Sequence, residues 1–148
     1  MPVLCKDFIF DPYQILEAKV YGADAILLIV AMLDKSKLRE LIHVCQEQWI
    51  QALVEVHNET EMDHALSVGA EIIGINHRNL DTFNVDMSIS TRLRPMVPHG
   101  KILVAESGIN SYEQVAAMKA IGMNAILVGE ALVTAANIEK RARDFSAV

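Results

Sequence analysis

Six short apolar runs of strand length recur along the chain, and five of them end in a polar or charged residue that a plain core strand would not carry. They are Val3-Leu4-Cys5-Lys6, Ala25 to Val30, Ala52-Leu53-Val54-Glu55, Ile72-Ile73-Gly74-Ile75-Asn76, Ile102-Leu103-Val104-Ala105-Glu106-Ser107 and Ala125 to Gly129-Glu130; only Ala25 to Val30 is apolar throughout. Continuous apolar runs fit strands buried on both faces, the pattern of a parallel sheet covered by helices. Reactive groups at the carboxyl ends of such strands are how an α/β barrel is written. The expectation is therefore an α/β chain of the parallel (βα) TIM-barrel type, incomplete, with about six βα units where a closed barrel needs eight.

The segments between the runs support this. Tyr21-Gly22-Ala23-Asp24-Ala25-Ile26-Leu27-Leu28, Val68-Gly69-Ala70-Glu71-Ile72-Ile73-Gly74 and Ile121-Gly122-Met123-Asn124-Ala125-Ile126-Leu127-Val128 are variants of one pattern. Each reads as a helix end, a glycine able to take a left-handed cap, a polar residue and a strand. Helix starts are equally visible. Asp11-Pro12-Tyr13-Gln14 offers an N-cap, a proline at the first helical position and a glutamine three residues after the cap; Asn58 with Glu61 and Ser111 with Gln114 repeat the spacing. Apolar stripes at helical spacing follow: Leu38, Leu41, Ile42 and Cys45, then Met62, Ala65 and Leu66, then Val115 and Met118. Two longer connections, Asn76 to Val85 and Arg94 to Gly100, interrupt the short loops, and no linker suggests a second domain. One domain over residues 1–148 is expected.

Composition removes several function classes. An apolar share of 52% argues against disorder, and the longest apolar stretch, Ala25 to Leu33, is too short to span a bilayer. The amino terminus has no basic start leading into an apolar core, so it does not read as a signal peptide. Cys5 and Cys45 lack metal-ligand spacing and read as reduced thiols of a cytoplasmic protein. A formal charge of −6 argues against nucleic acid as a partner. An anionic small molecule would have to meet local cations, which draws attention to each Lys or Arg at a strand end.

Glu55 is the sharpest chemical signal. A carboxylate inside Leu53-Val54-Glu55-Val56 is either buried, where proton affinity changes and acid–base work becomes available, or an edge residue facing water; the parallel pattern favours burial. Lys6, at the mouth of the first run, can donate a proton or hold an anion, and can equally be a surface lysine lying along an apolar segment. Asn76 and Arg78 share a face by alternation; Arg78 is a natural fork for a carboxylate or phosphate, or a structural partner of Asp7, Asp81 or Asp86. Glu106-Ser107-Gly108 and Gly129-Glu130 on the last two runs have the form of a phosphate cradle, whose glycines could also serve only tight turns. Of five histidines none pairs with another at metal-ligand spacing. His57 and His77 lie near strand ends, whereas His43, His64 and His99 read as solvated.

Taken together, Pro2-Val3-Leu4-Cys5-Lys6-Asp7-Phe8-Ile9, Asp11-Pro12-Tyr13-Gln14, Leu53-Val54-Glu55-Val56-His57, Gly74-Ile75-Asn76-His77-Arg78-Asn79-Leu80, Ala105-Glu106-Ser107-Gly108-Ile109 and Leu127-Val128-Gly129-Glu130-Ala131-Leu132 resemble indole-3-glycerol phosphate synthase from end to end. The resemblance implies a ribulose-phosphate-binding barrel and a carboxy-lyase of tryptophan biosynthesis. Its reaction closes the ring of 1-(2-carboxyphenylamino)-1-deoxyribulose 5-phosphate with loss of carbon dioxide and water, without metal or organic cofactor. By the same resemblance Lys6 is the general acid, Glu55 a proton-transfer carboxylate, Asn76 a substrate-positioning residue and Glu106 a further active-site carboxylate. Phe8 is the apolar wall for the aromatic ring, Arg78 supports the site, and Ser107, Gly108, Gly129 and Glu130 form the phosphate turns.

The chain also departs from the family pattern. His77 and Asn79 stand where the family usually has Asn and Asp, which brings a titratable ring and removes a charge that could pair with Arg78. The runs correspond to strands three to eight, so about 100 residues of a typical ~250-residue barrel, with a first-strand glutamate and lysine, have no counterpart. The expectation is a chain inactive or very weak alone, with open edges that favour self-association or capture of an amino-terminal fragment. A non-catalytic barrel fragment and another sugar-phosphate isomerase or epimerase are the alternatives, the latter disfavoured by the Lys6, Glu55, Asn76 order.

Overall fold

The computed structural model describes residues 1–147. All six runs form strands, in the order β1 (Leu4–Cys5), α1 (Pro12–Val20), β2 (Ala25–Ile29), α2 (Lys35–Glu47), β3 (Gln51–Val56), α3 (Glu59–Ser67), β4 (Ile72–Asn76), α4 (Ser88–Leu93), β5 (Ile102–Glu106), α5 (Tyr112–Ala120), β6 (Ala125–Leu127), α6 (Glu130–Val133) and α7 (Ile138–Ser146). Strand order in the sheet follows chain order. The β1–β2, β2–β3 and β5–β6 pairs are parallel, as alternation with helices requires. The chain divides into two compact units, Met1–Gly74 and the part from Ile75 onward.

In the first unit β2 is the buried centre. Ile26, Leu27, Leu28 and Ile29 are all at most 6% exposed, so both faces of the strand are covered. This explains why the run is apolar throughout: neither face of β2 meets water. The stripe Leu38, Leu41, Ile42 and Cys45 of α2 is buried as its spacing predicts, and so are Met62 and Ala65 of α3. Each fully buried Leu or Ile contributes roughly 1.5–3 kcal/mol of transfer free energy. The caps fix where the helices begin. Asp11 accepts from the Tyr13 amide and Gln14 reaches back to the Asp11 amide, a reciprocal box that closes α1 behind Pro12. Asn58 caps α3 by accepting from the Glu61 amide.

The second unit uses the same devices. Ser111 and Gln114 form the capping box of α5, whose Val115 and Met118 are buried, and in β5 Leu103 and Ala105 are buried on one face and Val104 and Glu106 on the other. The repeated αβ loop is confirmed in the backbone: Gly22, Gly69 and Gly122 take φ of +89°, +83° and +90°. One glycine-dependent turn is therefore used three times. The long connection after β4 is organised rather than loose. Arg78 and Val85 form an isolated antiparallel bridge, and the Asn79 side chain accepts from the amides of Asp81 and Thr82 to tie the intervening turn.

Candidate functional site

Five polar or charged residues are buried among the described residues: Glu55, Asn76, His77, Ser90 and Glu106. Three of them, Glu55, Asn76 and Glu106, are candidates read from the sequence, and all three occupy the carboxyl-terminal part of a strand. A buried ionisable group has to be compensated by specific partners, so these positions are where chemistry or structure demands a polar atom.

In the first unit the parallel register sets Glu55 of β3 beside Ile29 of β2, and its carboxylate is 2% exposed. Lys6, just past the end of β1, brings its Nζ to 3.5 Å from Glu55 Oε2, with its own side chain 48% exposed. The arrangement joins a sheltered carboxylate to an ammonium that still reaches solvent. On the other side of Glu55, Oε1 lies 3.3 Å from Nε2 of His57, and His57 Nδ1 lies 3.0 Å from Glu61 Oε2. Glu61 is itself fixed: it accepts from the His57 backbone amide at 2.8 Å and from the Asn58 side chain at 2.7 Å. Burial works against a charge on the His57 ring, yet the flanking carboxylates of Glu55 and Glu61 outweigh it and push its pKa up to about 9. Burial raises the Glu61 carboxyl, but the His57 ring and amide more than reverse this and hold it below the usual carboxylate range. Lys6, Glu55, His57 and Glu61 thus alternate in charge along one chain of contacts. Phe8, two residues beyond Lys6, is 59% exposed.

In the second unit, Asn76 at the end of β4 accepts through Oδ1 from the Ser107 hydroxyl at 2.8 Å and from the Arg78 amide at 3.0 Å. Ser107 and Gly108 follow β5 with φ of +67° and +76°, two successive left-handed residues. A non-glycine residue holds such a conformation only where its surroundings impose it, and for Ser107 the ties are explicit. Its hydroxyl is bound to Asn76 and its carbonyl accepts from His77 Nδ1 at 2.8 Å. Since the carbonyl can only accept, Nδ1 carries the proton, and Nε2 then accepts from the Ser90 hydroxyl at 2.7 Å. His77 is fully buried, and burial lowers its pKa against the opposing pull of the Ser107 carbonyl and Asp86, consistent with a neutral ring. His77 therefore pins the Ser107 turn.

Arg78 extends toward the last of the expected turns. It donates to the Phe83 carbonyl at 3.3 Å and lies 3.4 Å from Glu130, which is 77% exposed, so its partner is none of Asp7, Asp81 or Asp86. A pair so open to solvent is worth at most about 1 kcal/mol, which leaves the guanidinium easy to redirect. The Asn79 side chain is committed to the turn, where it accepts from the amides of Asp81 and Thr82. Gly129 has φ −118°, with open space where a side chain would begin, and it precedes the single turn of α6. The backbone there does not require glycine. Cys5 and Cys45 are free thiols; burial pushes the Cys45 thiol up to about 12, so it is no nucleophile at neutral pH. Sequence reasoning missed Glu61 and Ser90 as members of these networks. Glu61 read only as the third residue of a helix cap, although its spacing of four from His57 was visible.

Among the described residues no helix is long and apolar enough to cross a membrane. The fold is shared with 3-hexulose-6-phosphate synthase from Salmonella typhimurium, at a TM-score of 0.80 over 99% of this chain and 72% of that one, with 19% identity. That likeness shows the barrel-type architecture alone. Sequence similarity goes further. Indole-3-glycerol phosphate synthases from Dehalococcoides mccartyi and Endomicrobium trichonymphae are 46% and 50% identical over 144 residues, each match covering 97% of this chain and 56% of the relative. The Roseiflexus enzyme of the same name is 50% identical over 146 residues, covering 97% of this chain and 54% of the relative. The chain thus spans about half the length of the curated relatives it matches. The family model described as indole-3-glycerol phosphate synthase matches residues 1–145, a stretch that contains every candidate residue above, and the chain belongs to that family.

Proposed function

We propose that the chain serves the reaction for which its relatives are named, formation of indole-3-glycerol phosphate from 1-(2-carboxyphenylamino)-1-deoxyribulose 5-phosphate with loss of carbon dioxide and water. The observation that carries this reading is Glu55, a buried carboxylate held 3.5 Å from the half-exposed ammonium of Lys6. Ring closure needs an acid at the ribulose carbonyl as the aromatic carbon attacks, and dehydration needs a group that takes a proton from the ring and returns one to the leaving hydroxyl. Lys6 is suited to the first task because its half-exposed side chain can meet the substrate while it stays beside the Glu55 carboxylate. Glu55 is suited to the second because it is sheltered from water.

The remaining roles follow from side-chain chemistry. The exposed ring of Phe8 offers an apolar wall to the substrate's aromatic ring. Asn76 orients the sugar through an amide that Ser107 and the Arg78 backbone hold in place. Glu106, 1% exposed at the end of β5, is a second sheltered carboxylate. The Ser107–Gly108 and Gly129–Glu130 turns take the phosphate, and the close approach of an oxyanion to the backbone accounts for glycine at position 129, where the fold itself asks for none. Arg78, loosely paired, supports the bound anion.

The test is turnover, followed by the appearance of the indole product. The chain alone should be inactive or very weak. Mixed with the segment that a relative carries outside the matched stretch, it should form product, and Glu55→Gln should lower that rate by about a hundredfold or more, the usual scale of one acid–base group. An unchanged rate for Glu55→Gln would refute the assignment, and the absence of product from the mixture would refute the function.

A further inference from the structure

The proposed chemistry asks nothing of His57 or Glu61, yet the structure invests heavily in placing them. His57 sits between two carboxylates, and each ring nitrogen faces an oxygen: Nε2 to Glu55 Oε1 at 3.3 Å and Nδ1 to Glu61 Oε2 at 3.0 Å. A neutral imidazole carries one N–H and can satisfy only one carboxylate, so the second ring nitrogen would direct a lone pair at a negative oxygen. An imidazolium presents positive charge to both, in a hydrogen bond to Glu61 and an ion pair with Glu55. Glu61 cannot swing away, because its two oxygens are held by the His57 amide and the Asn58 side chain at the start of α3. The His57 ring is 10% exposed and Glu61 16%, so water screens the contacts poorly.

We infer that His57 is a positioning residue, clamped in its charged form by Glu61, which holds the Glu55 carboxylate in one orientation and keeps it ionised. This deepens the proposed function and rests on Glu55 being its proton-transfer group. Among the contacts of Glu55 are Lys6, just past β1, and His57, just past β3, and Glu61 of α3 balances the second. β2 and the turn Val30–Met32 bring no titratable side chain, and Glu59, Asp63 and His64 of α3 are exposed. Glu55 is therefore in contact with opposite charges from Lys6 and His57, the second of them anchored by a helix start.

The experiment follows the side chains directly, by NMR titration of the histidine ring nitrogens and glutamate carboxyl carbons in the full chain. In the unaltered protein His57 should keep its proton to near pH 9. Glu61→Gln, which keeps the Asn58 cap, should lower the His57 midpoint by about one unit or more, and His57→Gln should raise the Glu55 midpoint by a similar amount, as expected for loss of one adjacent opposite charge. A His57 ring titrating at an ordinary value in the unaltered protein, or a Glu55 midpoint unmoved by His57→Gln, would overturn the inference. Should His57→Gln fail to fold, Glu61→Gln decides it alone. In the reconstituted enzyme the acid limb of the kcat/KM profile should move upward in His57→Gln with the Glu55 midpoint; a lower rate with an unmoved limb means a structural role only and overturns it. Full turnover by Glu55→Gln alongside coupled midpoints would leave the His57 clamp standing and remove the proposed role of Glu55.

Discussion

Gly108 is the position where backbone and packing together make the most demanding prediction. It follows Ser107 in the turn after β5 with φ +76°, and a Cβ added there would lie 2.4 Å from Cγ1 of Val85. Two costs fall on Gly108→Ala. An L-residue in the left-handed region loses about 1–2 kcal/mol. The overlap is more than an ångström inside the ordinary carbon–carbon contact of about 3.5–4.0 Å, and forcing an extra carbon into a packed site costs about 1–3 kcal/mol. Val85 is 42% exposed and can give way, which puts the second cost in the lower half of its range. The sum is about 2–4 kcal/mol. Urea unfolding followed by circular dichroism reads it, and a fourth member of the cycle separates the two parts. In a Val85→Ala background Cγ1 is gone, so Gly108→Ala should retain only its backbone cost, with a coupling of about 1–2 kcal/mol between the sites. Equal costs in the two backgrounds would refute the packing argument. A cost below about 1 kcal/mol in both would refute the backbone argument as well.

Other outcomes follow from the same contacts. His77, which is buried, and His57, which is 10% exposed, should shape stability on opposite sides of neutrality. His77 has a lowered pKa when folded, so the unfolded chain binds its proton first; its contribution is complete above about pH 6.5 and is lost as pH falls, and His77→Gln should flatten that acid limb of the urea midpoints. His57 has a raised pKa, so its contribution is complete below 6.5 and is lost as pH rises toward about 9. Its size is on the order of 3 kcal/mol, and an alkaline limb that survives His57→Gln unchanged would contradict it. Self-association is expected to be weak and concentration-dependent, because the edge strands β1 and β6 are only two and three residues long and offer few backbone groups to a second copy. Light scattering across a dilution series should show the mass rising with concentration, and a constant monomer mass would refute it.

The parts of this protein that are legible in sequence are those set by neighbours along the chain. Gly22, Gly69 and Gly122 could be matched as one turn because a helix end, a left-handed residue and a strand start are all local events. Capping boxes at Asp11 and Ser111 are local too, and the buried stripe of α2 follows from helical period alone. Glu55 was legible for a different reason: a charge inside an apolar run is improbable unless something uses it, so its oddity announced it. Glu61 and Ser90 are polar residues in ordinary helical places, and nothing in their local pattern separates them from solvated ones. Their roles appear only when His57 and His77 are seen to have two ring nitrogens, each needing a partner of defined kind. For His77 the partners are a carbonyl and a hydroxyl, which fix a neutral tautomer; for His57 they are two carboxylates, which fix a cation. The same residue type thus follows two strands consecutive in sequence, β3 and β4, in opposite charge states. That difference is decided by what the fold places against each nitrogen, and it can be measured one ring at a time.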